Sequence, residues 1–176
     1  MSAPDDLVVL VDENDCAIGE APKLEVHERG LLHRAVSLLL RDQNGRFLLQ
    51  RRAEAKYHSG GLWSNTCCGH PRPGESPESA ALRRLRAEMG ILECKIRRVS
   101  SFLYRTAVGN GLVEHEVDHV LVGDWNGEPA PDPSEVSDWQ WVSESALYAD
   151  LAMNPDRYTP WLAGVLLHSR RAPAPA

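Results

Sequence analysis

The sequence predicts an α/β (α+β) sandwich on a mixed sheet, and three observations carry that prediction. Two apolar runs flank Asp42-Gln43-Asn44-Gly45, and two longer runs flank Gly109-Asn110-Gly111, each pattern marking an antiparallel hairpin. Between them lies a helical segment with its own start and stop residues. Strands interleaved with a few helices make a layered domain, while the pattern leaves strand order open.

In chain order, Leu7 to Val11 reads as a first strand and Asp12 to Gly19 as its turn. Ala35 to Arg41 and Phe47 to Arg51 are paired strands, because Asn44-Gly45 favours the positive φ angles of a tight hairpin. Ser76, Pro77 and Gly90 supply an N-cap, a first-turn proline and a C-terminal stop. Leu82, Leu85 and Met89 recur at helical spacing between them. Lys95 to Val108 and Leu112 to Trp125 form the long hairpin, across which Tyr104 and Glu116 can face one another. A proline-rich loop, Gly127 to Pro133, precedes a strand at Asp138 to Val142, and Thr159-Pro160 opens a last helix to about His168. One domain is expected over 1–169, followed by a disordered Ala/Pro-rich tail over 170–176.

A chain of 176 residues, 43% hydrophobic and 25% charged, can bury a substantial single core. Its net charge of -6 argues against a nucleic-acid surface, so an anionic substrate needs local cations, for which Lys23, Arg51, Arg52 and Lys56 are candidates. No apolar run reaches membrane-spanning length, and the N-terminus has no basic, apolar leader pattern. Four cysteines, two of them adjacent at Cys67-Cys68, make a poor disulfide framework. A soluble cytoplasmic protein with reduced thiols, acting on a small molecule without nucleic acid or membrane, is expected, as a monomer or weak homodimer.

The segment from Gly69 to Ile91, GHPRPGESPESAALRRLRAEMGI, resembles the Nudix box G-x5-E-x7-R-E-U-x-E-E-x-G-U, with U aliphatic. Gly69, Glu75, Arg83, Leu85, Glu88, Gly90 and Ile91 match, while Arg84 and Ala87 stand where the box has glutamates. A Nudix hydrolase gathers glutamates on one helix to hold the divalent ions that activate water against a diphosphate. The missing carboxylates therefore argue for a diphosphate-binding scaffold whose chemistry lies elsewhere.

The blocks HERGLLHRAVS, WSNTCCGHP, FLYRT, VEHEV and YTPW, in that order, resemble the signature set of the type I isopentenyl-diphosphate isomerases, a branch of the Nudix superfamily. The likeness runs from about Lys23 to Trp161 and implies the Nudix α/β/α sandwich. It implies one divalent metal held by His27, His33, His70, Glu114 and Glu116. Five mixed N/O donors suit Mn²⁺ or Mg²⁺, with zinc or iron as alternatives. Glu114 and Glu116 share a strand face, because side chains alternate with period two, and His115 and His119 take the opposite face. His58, His115, His119 and His168 read as ordinary surface or core histidines.

The same resemblance implies a second ion, Mg²⁺ bound with the substrate diphosphate through Glu88 and Cys68. Glu75 ranks below Glu88, since its place before the helix suits a capping or dipole role. Moving a double bond requires one proton delivered to carbon and one removed, hence two titratable groups. The family's pair matches Cys68 and Glu116, with Tyr104 bonded to Glu116, and Cys67 is read as packing. Trp161 would lay its ring against a carbocation. Lys23, Arg52 and Lys56 match diphosphate contacts. The implied activity interconverts isopentenyl and dimethylallyl diphosphate through a tertiary carbocation. A Nudix-type diphosphate hydrolase and a non-catalytic diphosphate-binding module are the alternatives.

Overall fold

A computed structural model describes residues 7–170. Among these residues nine strands form one mixed sheet around β3 (His33–Arg41). Along one edge β3 runs parallel to β8 (Leu112–Asp124), in register from His33↔Glu116 to Arg41↔Asp124. Along the other it pairs antiparallel with β6 (Cys67–Gly69). β7 (Ile96–Gly109) lies outside β8, and β4 (Phe47–Arg52) pairs with β5 (Trp63–Ser64) and β9 (Val136–Val142). β1 (Leu7–Val11) pairs with β2 (Ala17–Pro22) and meets β3 at Leu10↔His33.

Alternation along β3 builds two cores. Val36, Leu38 and Leu40 face Leu85 and Met89 of α2 (Pro77–Met89). Leu39 faces Leu147 of α3 (Glu144–Met153) and Leu162, Val165 and Leu166 of α4 (Leu162–Ser169). The result is a helix–sheet–helix sandwich, as expected. Each such side chain taken wholly from water contributes about 1.5–3 kcal/mol, and these contacts clamp the layers.

The caps of α2 stand where the sequence puts them. Ser76 Oγ accepts from Ser79 N at 3.1 Å, and Gly90 takes φ +66° while its N–H bonds Arg86 O. A Cβ on Gly90 would sit 2.2 Å from Ala130 O, so no other residue fits there. The long hairpin turns on Asn110 (φ +52°) and Gly111 (φ +75°), and Tyr104 does pair with Glu116.

Several expectations need correction. At Asp42–Gly45 only Gly45 takes a positive φ; Asp42 Oδ1 accepts from Asn44 N and Arg46 N, so a side chain supplies what the expected turn type would. β3 and β4 then pair only at Arg41↔Phe47, because β6 occupies β3 further along. The turn read as Asp12 to Gly19 closes by Cys16, tied by Asp12 Oδ1, and β2 returns as a mostly exposed strand with no apolar alternation to betray it. Two helices went unread. α1 (Lys23–Arg29) is too short to show a period, and α3 buries one residue, Leu147. α4 begins at Leu162 rather than Thr159, whose N–H is drawn to Trp63 O. Beyond Arg170 the tail expected at 170–176 lies outside the described residues. Among those described, no helix is long and apolar enough to cross a membrane.

Candidate active site

Sheet register assembles the site. His33 opposes Glu116 across β3 and β8, Tyr104 opposes Glu116 across β7 and β8, and Ser37 opposes Cys68 across β3 and β6. Glu114 lies two residues back along β8, on the same face as Glu116. The helix α1, stopped by Gly30 at φ +61°, brings His27 to this end of the sheet.

His27 Nδ1 lies 2.7 Å from Lys23 O and His33 Nδ1 2.9 Å from Leu31 O. A carbonyl only accepts, so each Nδ1 donates, and a neutral ring then presents a bare lone pair at Nε2. His27 Nε2 is buried without a hydrogen-bond partner. His33 Nε2 and His70 Nε2 stand 3.2 Å apart, and 3.2 and 3.0 Å from Glu116 Oε1. Lone pairs so crowded repel unless a cation or proton lies among them. The ligating atoms of His27, His33, His70 and Glu116 all fall within 4.8 Å of one another. Burial, with the charge of His33 and Lys23, holds His70 well below the ordinary imidazole range, and burial also lowers His27. Burial opposes charge on His33 too, but the bond and charge of Glu116 outweigh it and raise its pKa. This donor set can hold a metal ion, which would replace the one proton the cluster favours.

Tyr104 Oη reaches Glu114 Oε2 and lies 2.7 Å from Glu116 Oε2, so its single proton serves two carboxylates. Burial and those carboxylates hold the phenol well above its ordinary value. For Glu116, burial is outweighed by the bond and charge of His33 and by Tyr104, and the carboxylate stays ionised. The Cys68 thiol is pushed up to about 12, first by burial and then by Asp118, so it carries its proton. Asn65 sets its direction: its amide nitrogen donates to Leu38 O and Cys67 O, leaving Oδ1 to accept from Cys68 Sγ at 3.2 Å. Ser37 Oγ lies 3.5 Å from the same sulfur and donates to buried Asp118.

Cys68, Tyr104, Glu114, Glu116, His70 and Trp161 line one cavity of about 100 Å³. Lys23, Arg52, Lys56 and Arg84 line it too. Burial, then Lys56, Arg84 and Arg52, lowers Lys23 to about 8. Like charges crowded around Lys23 in a partly dry pocket favour a further anion there, and a diphosphate supplies one. Arg84 is paired with Glu88 at 2.6 Å and reaches Glu135 at 3.3 Å, while Lys56 also holds Glu135. Gln50 donates to the other oxygen of Glu88 at 2.6 Å. The arginine that breaks the box thus neutralises its surviving glutamate.

Most residues expected in the site are brought to it, with His27 and His33 behind the cavity wall and fully buried; Arg51, a candidate cation, instead bonds Gly61 O at 2.8 Å and Glu54 at 3.3 Å, away from the cavity lining. Trp161 is 4% exposed, its Nε1 donates to Ser64 Oγ at 3.1 Å, and Arg52 stands 5.5 Å from its ring centroid. Glu75 accepts from Arg83 and from Arg72 N, and Arg83 also bonds His70 O, so its place is structural. Cys67 is buried against Ala81 O. His115 bonds Gly30 O, His119 bonds Asp15, and His168 stacks on Phe102, all outside the site. The reading of His58 was wrong. Its Nε2 lies 3.0 Å from Glu114 Oε1, and it forms a second possible metal group with His27 and Glu114. Nothing in the flanking Tyr57 and Ser59 signals this, and Asn65, Ser37, Asp118 and Arg84 were likewise unmarked as site neighbours.

The NUDIX domain model matches residues 31–162. The chain is 52% identical to isopentenyl-diphosphate Delta-isomerase 2 of Aromatoleum aromaticum over 162 residues, 92% of this chain and 85% of that protein. It is 48% identical to the isopentenyl-diphosphate Delta-isomerase of Serratia proteamaculans, covering 92% and 90% of the two chains. Among solved structures, DR0079 of Deinococcus radiodurans superposes with a TM-score of 0.77 at 21% identity, over 94% of this chain and 99% of that one. A MutT protein of Methanosarcina mazei gives 0.60 at 21% identity, over 80% and 96%. These two bear on the fold alone.

Proposed function

The chain belongs to the isopentenyl-diphosphate isomerases of the NUDIX superfamily, and from that membership we propose that it interconverts isopentenyl and dimethylallyl diphosphate in isoprenoid biosynthesis. The observation that carries the proposal is a protonated thiol, Cys68, and a tyrosine-bridged carboxylate, Glu116, lining one cavity whose wall holds five cations, Lys23, Arg52, Lys56, Arg83 and Arg84. Hydrolysis has no use for a thiol in the cavity wall, and simple binding needs no proton donor. Arg84 and Ala87, standing where the box has glutamates, also leave the helix without the carboxylate set that hydrolysis would require.

Lys23, Arg52 and Lys56 take the diphosphate, joined by Arg84, which turns from Glu88 to the phosphate oxygens. A Mg²⁺ accompanying the diphosphate would be held through Glu88 and Cys68 and would supply charge neutralisation of the phosphate oxygens. Cys68 gives its proton to the terminal methylene, and the double-bond electrons leave a tertiary cation. Glu116 then takes a proton from the allylic carbon, whose C–H electrons form the new double bond. Tyr104, bonded to Glu114 and Glu116, relays that proton from Glu116 toward solvent, and a proton from solvent returns to the Cys68 thiolate, so acid and base both end the cycle as they began. Trp161 shields the cation from water with its ring face. A divalent ion, Mn²⁺ or Mg²⁺ with zinc as the alternative, would be held by His27, His33, His70, Glu114 and Glu116, fixing the carboxylates by its charge. We treat 1–169 as one isomerase domain, cytoplasmic and monomeric or weakly dimeric.

The test is incubation of protein loaded in turn with Mn²⁺, Mg²⁺ and Zn²⁺ with isopentenyl diphosphate. Dimethylallyl diphosphate should appear without phosphate release. Phosphate release without isomer would establish a hydrolase instead.

A further inference from the structure

We propose that His58 latches the loop 53–62 to the metal cluster, so that filling the cluster fixes the loop that carries Lys56. The proposal rests on the metal and diphosphate reading above and adds a residue to it. His58 is 5% exposed, though it sits in a loop of polar and small residues. Its Nε2 meets Glu114 Oε1 at 3.0 Å, and its ring packs 5.8 Å from His27 and 6.1 Å from Trp161. Glu114 is thus held between the His58 ring and the Tyr104 hydroxyl.

The loop backbone is bent to make this contact. Ser59, the next residue, has φ +53°, a left-handed conformation that costs a non-glycine residue free energy and persists where surroundings impose it. Gly61 at φ +76° completes the turn, and a Cβ on Gly60 would lie 2.6 Å from Glu54 O. Arg52 donates to His58 O at 3.2 Å and Asn110, at the hairpin tip, to Tyr57 O at 3.1 Å. Lys56, which lines the cavity, is two residues before His58, and its ammonium lies on Glu135. A contact that orients His58 therefore places Lys56. An ion among His27, Glu114 and their partners fixes the Glu114 carboxylate, and a fixed acceptor strengthens the His58 bond.

Lys56-Tyr57 is a tryptic site inside the loop, which makes opening measurable without substrate. Metal-stripped and Mn²⁺-loaded wild type, His58→Ala and His58→Gln are digested with trypsin under native conditions, cleavage after Lys56 is followed by mass spectrometry, and Mn²⁺ affinity is measured by calorimetry. Mn²⁺ should slow wild-type cleavage roughly tenfold, the scale of one hydrogen bond to a charged group. In His58→Ala cleavage should be fast with or without Mn²⁺, although one ion still binds. His58→Gln, which keeps a donor, should recover part of the protection. With isopentenyl diphosphate, His58→Ala should raise KM more than it lowers kcat, since Lys56 binds rather than reacts. Cleavage of His58→Ala that Mn²⁺ slows as in wild type overturns the latch. Mn²⁺ binding to wild type without any change in cleavage overturns it too and leaves the metal reading standing. Failure of wild type to bind Mn²⁺ overturns the metal reading itself.

Discussion

Replacing Trp161 by Phe or by Leu separates a ring that stabilises charge from one that only fills space. The indole is 4% exposed, its N–H donates to Ser64 Oγ at 3.1 Å, and it lines the cavity with Cys68 and Glu116. Both replacements lose that hydrogen bond, about 1 kcal/mol, and both leave a void, so both should lower stability by a similar ~2 kcal/mol. Only Leu also loses the π face. A desolvated cation–π contact of about 2 kcal/mol corresponds to roughly 30-fold in rate. Arg52 already stands 5.5 Å from the ring centroid, so part of the quadrupole is engaged and 30-fold is an upper value. Because the carbocation exists only along the reaction, the loss belongs in kcat more than in KM. The assay is steady-state conversion of isopentenyl diphosphate, normalised to the folded fraction from urea unfolding. A folded Trp161→Leu enzyme turning over as fast as Trp161→Phe would refute the cation contact and leave packing as the role of the ring.

Cys68→Ala should abolish turnover and Cys67→Ala should leave most of it, since the two remove equal volume and only Cys68 lines the cavity; equal activities would show the wrong sulfur was chosen. Elemental analysis should find about one divalent ion per chain, lost in His33→Ala or His70→Ala because each removes a converging donor. Tyr104→Phe leaves Glu114 and Glu116 side by side without their shared donor, which should cost roughly 10- to 100-fold in kcat at unchanged fold, read by kinetics beside circular dichroism. The Glu75 carboxyl is lowered from its ordinary 4.5 by its bonds to Arg83 and Arg72 N. A depressed carboxylate contributes stability that is present above the unfolded value and lost as pH falls through the folded one. Wild type should therefore exceed Glu75→Gln by about 1–2 kcal/mol near neutral pH in urea unfolding, and the gap should close below about pH 4.

Much of the fold is written in short-range chemistry. Ser76, Pro77 and Gly90 bound α2 because a cap needs only a hydroxyl, a fixed φ and a residue tolerant of φ +66°, all within one segment. Asn110-Gly111 closes the long hairpin for the same reason, but Tyr104 stands opposite Glu116 rather than Val117 only because a one-residue register shift between Ala107 and Gly109 intervenes. Among the elements that escaped, β2, α1 and α3 lack a buried periodic face and β5 and β6 are only two and three residues long: their positions come from what they pack against, which no local pattern records. At the site, resemblance brought His27, His33, His70, Glu114, Glu116, Cys68 and Tyr104 onto the page before any coordinate, because their motifs travel as contiguous blocks. His58 needed the tertiary structure, because it looked like a loop histidine until the fold set it against Glu114. The Arg84–Glu88 pair is an i,i+4 contact within α2, so helical spacing places it, and only its second partner, Glu135, comes from tertiary packing. A side chain's partner across the chain depends on sheet register and layer packing, and these are decided by the whole core at once rather than by neighbours in sequence.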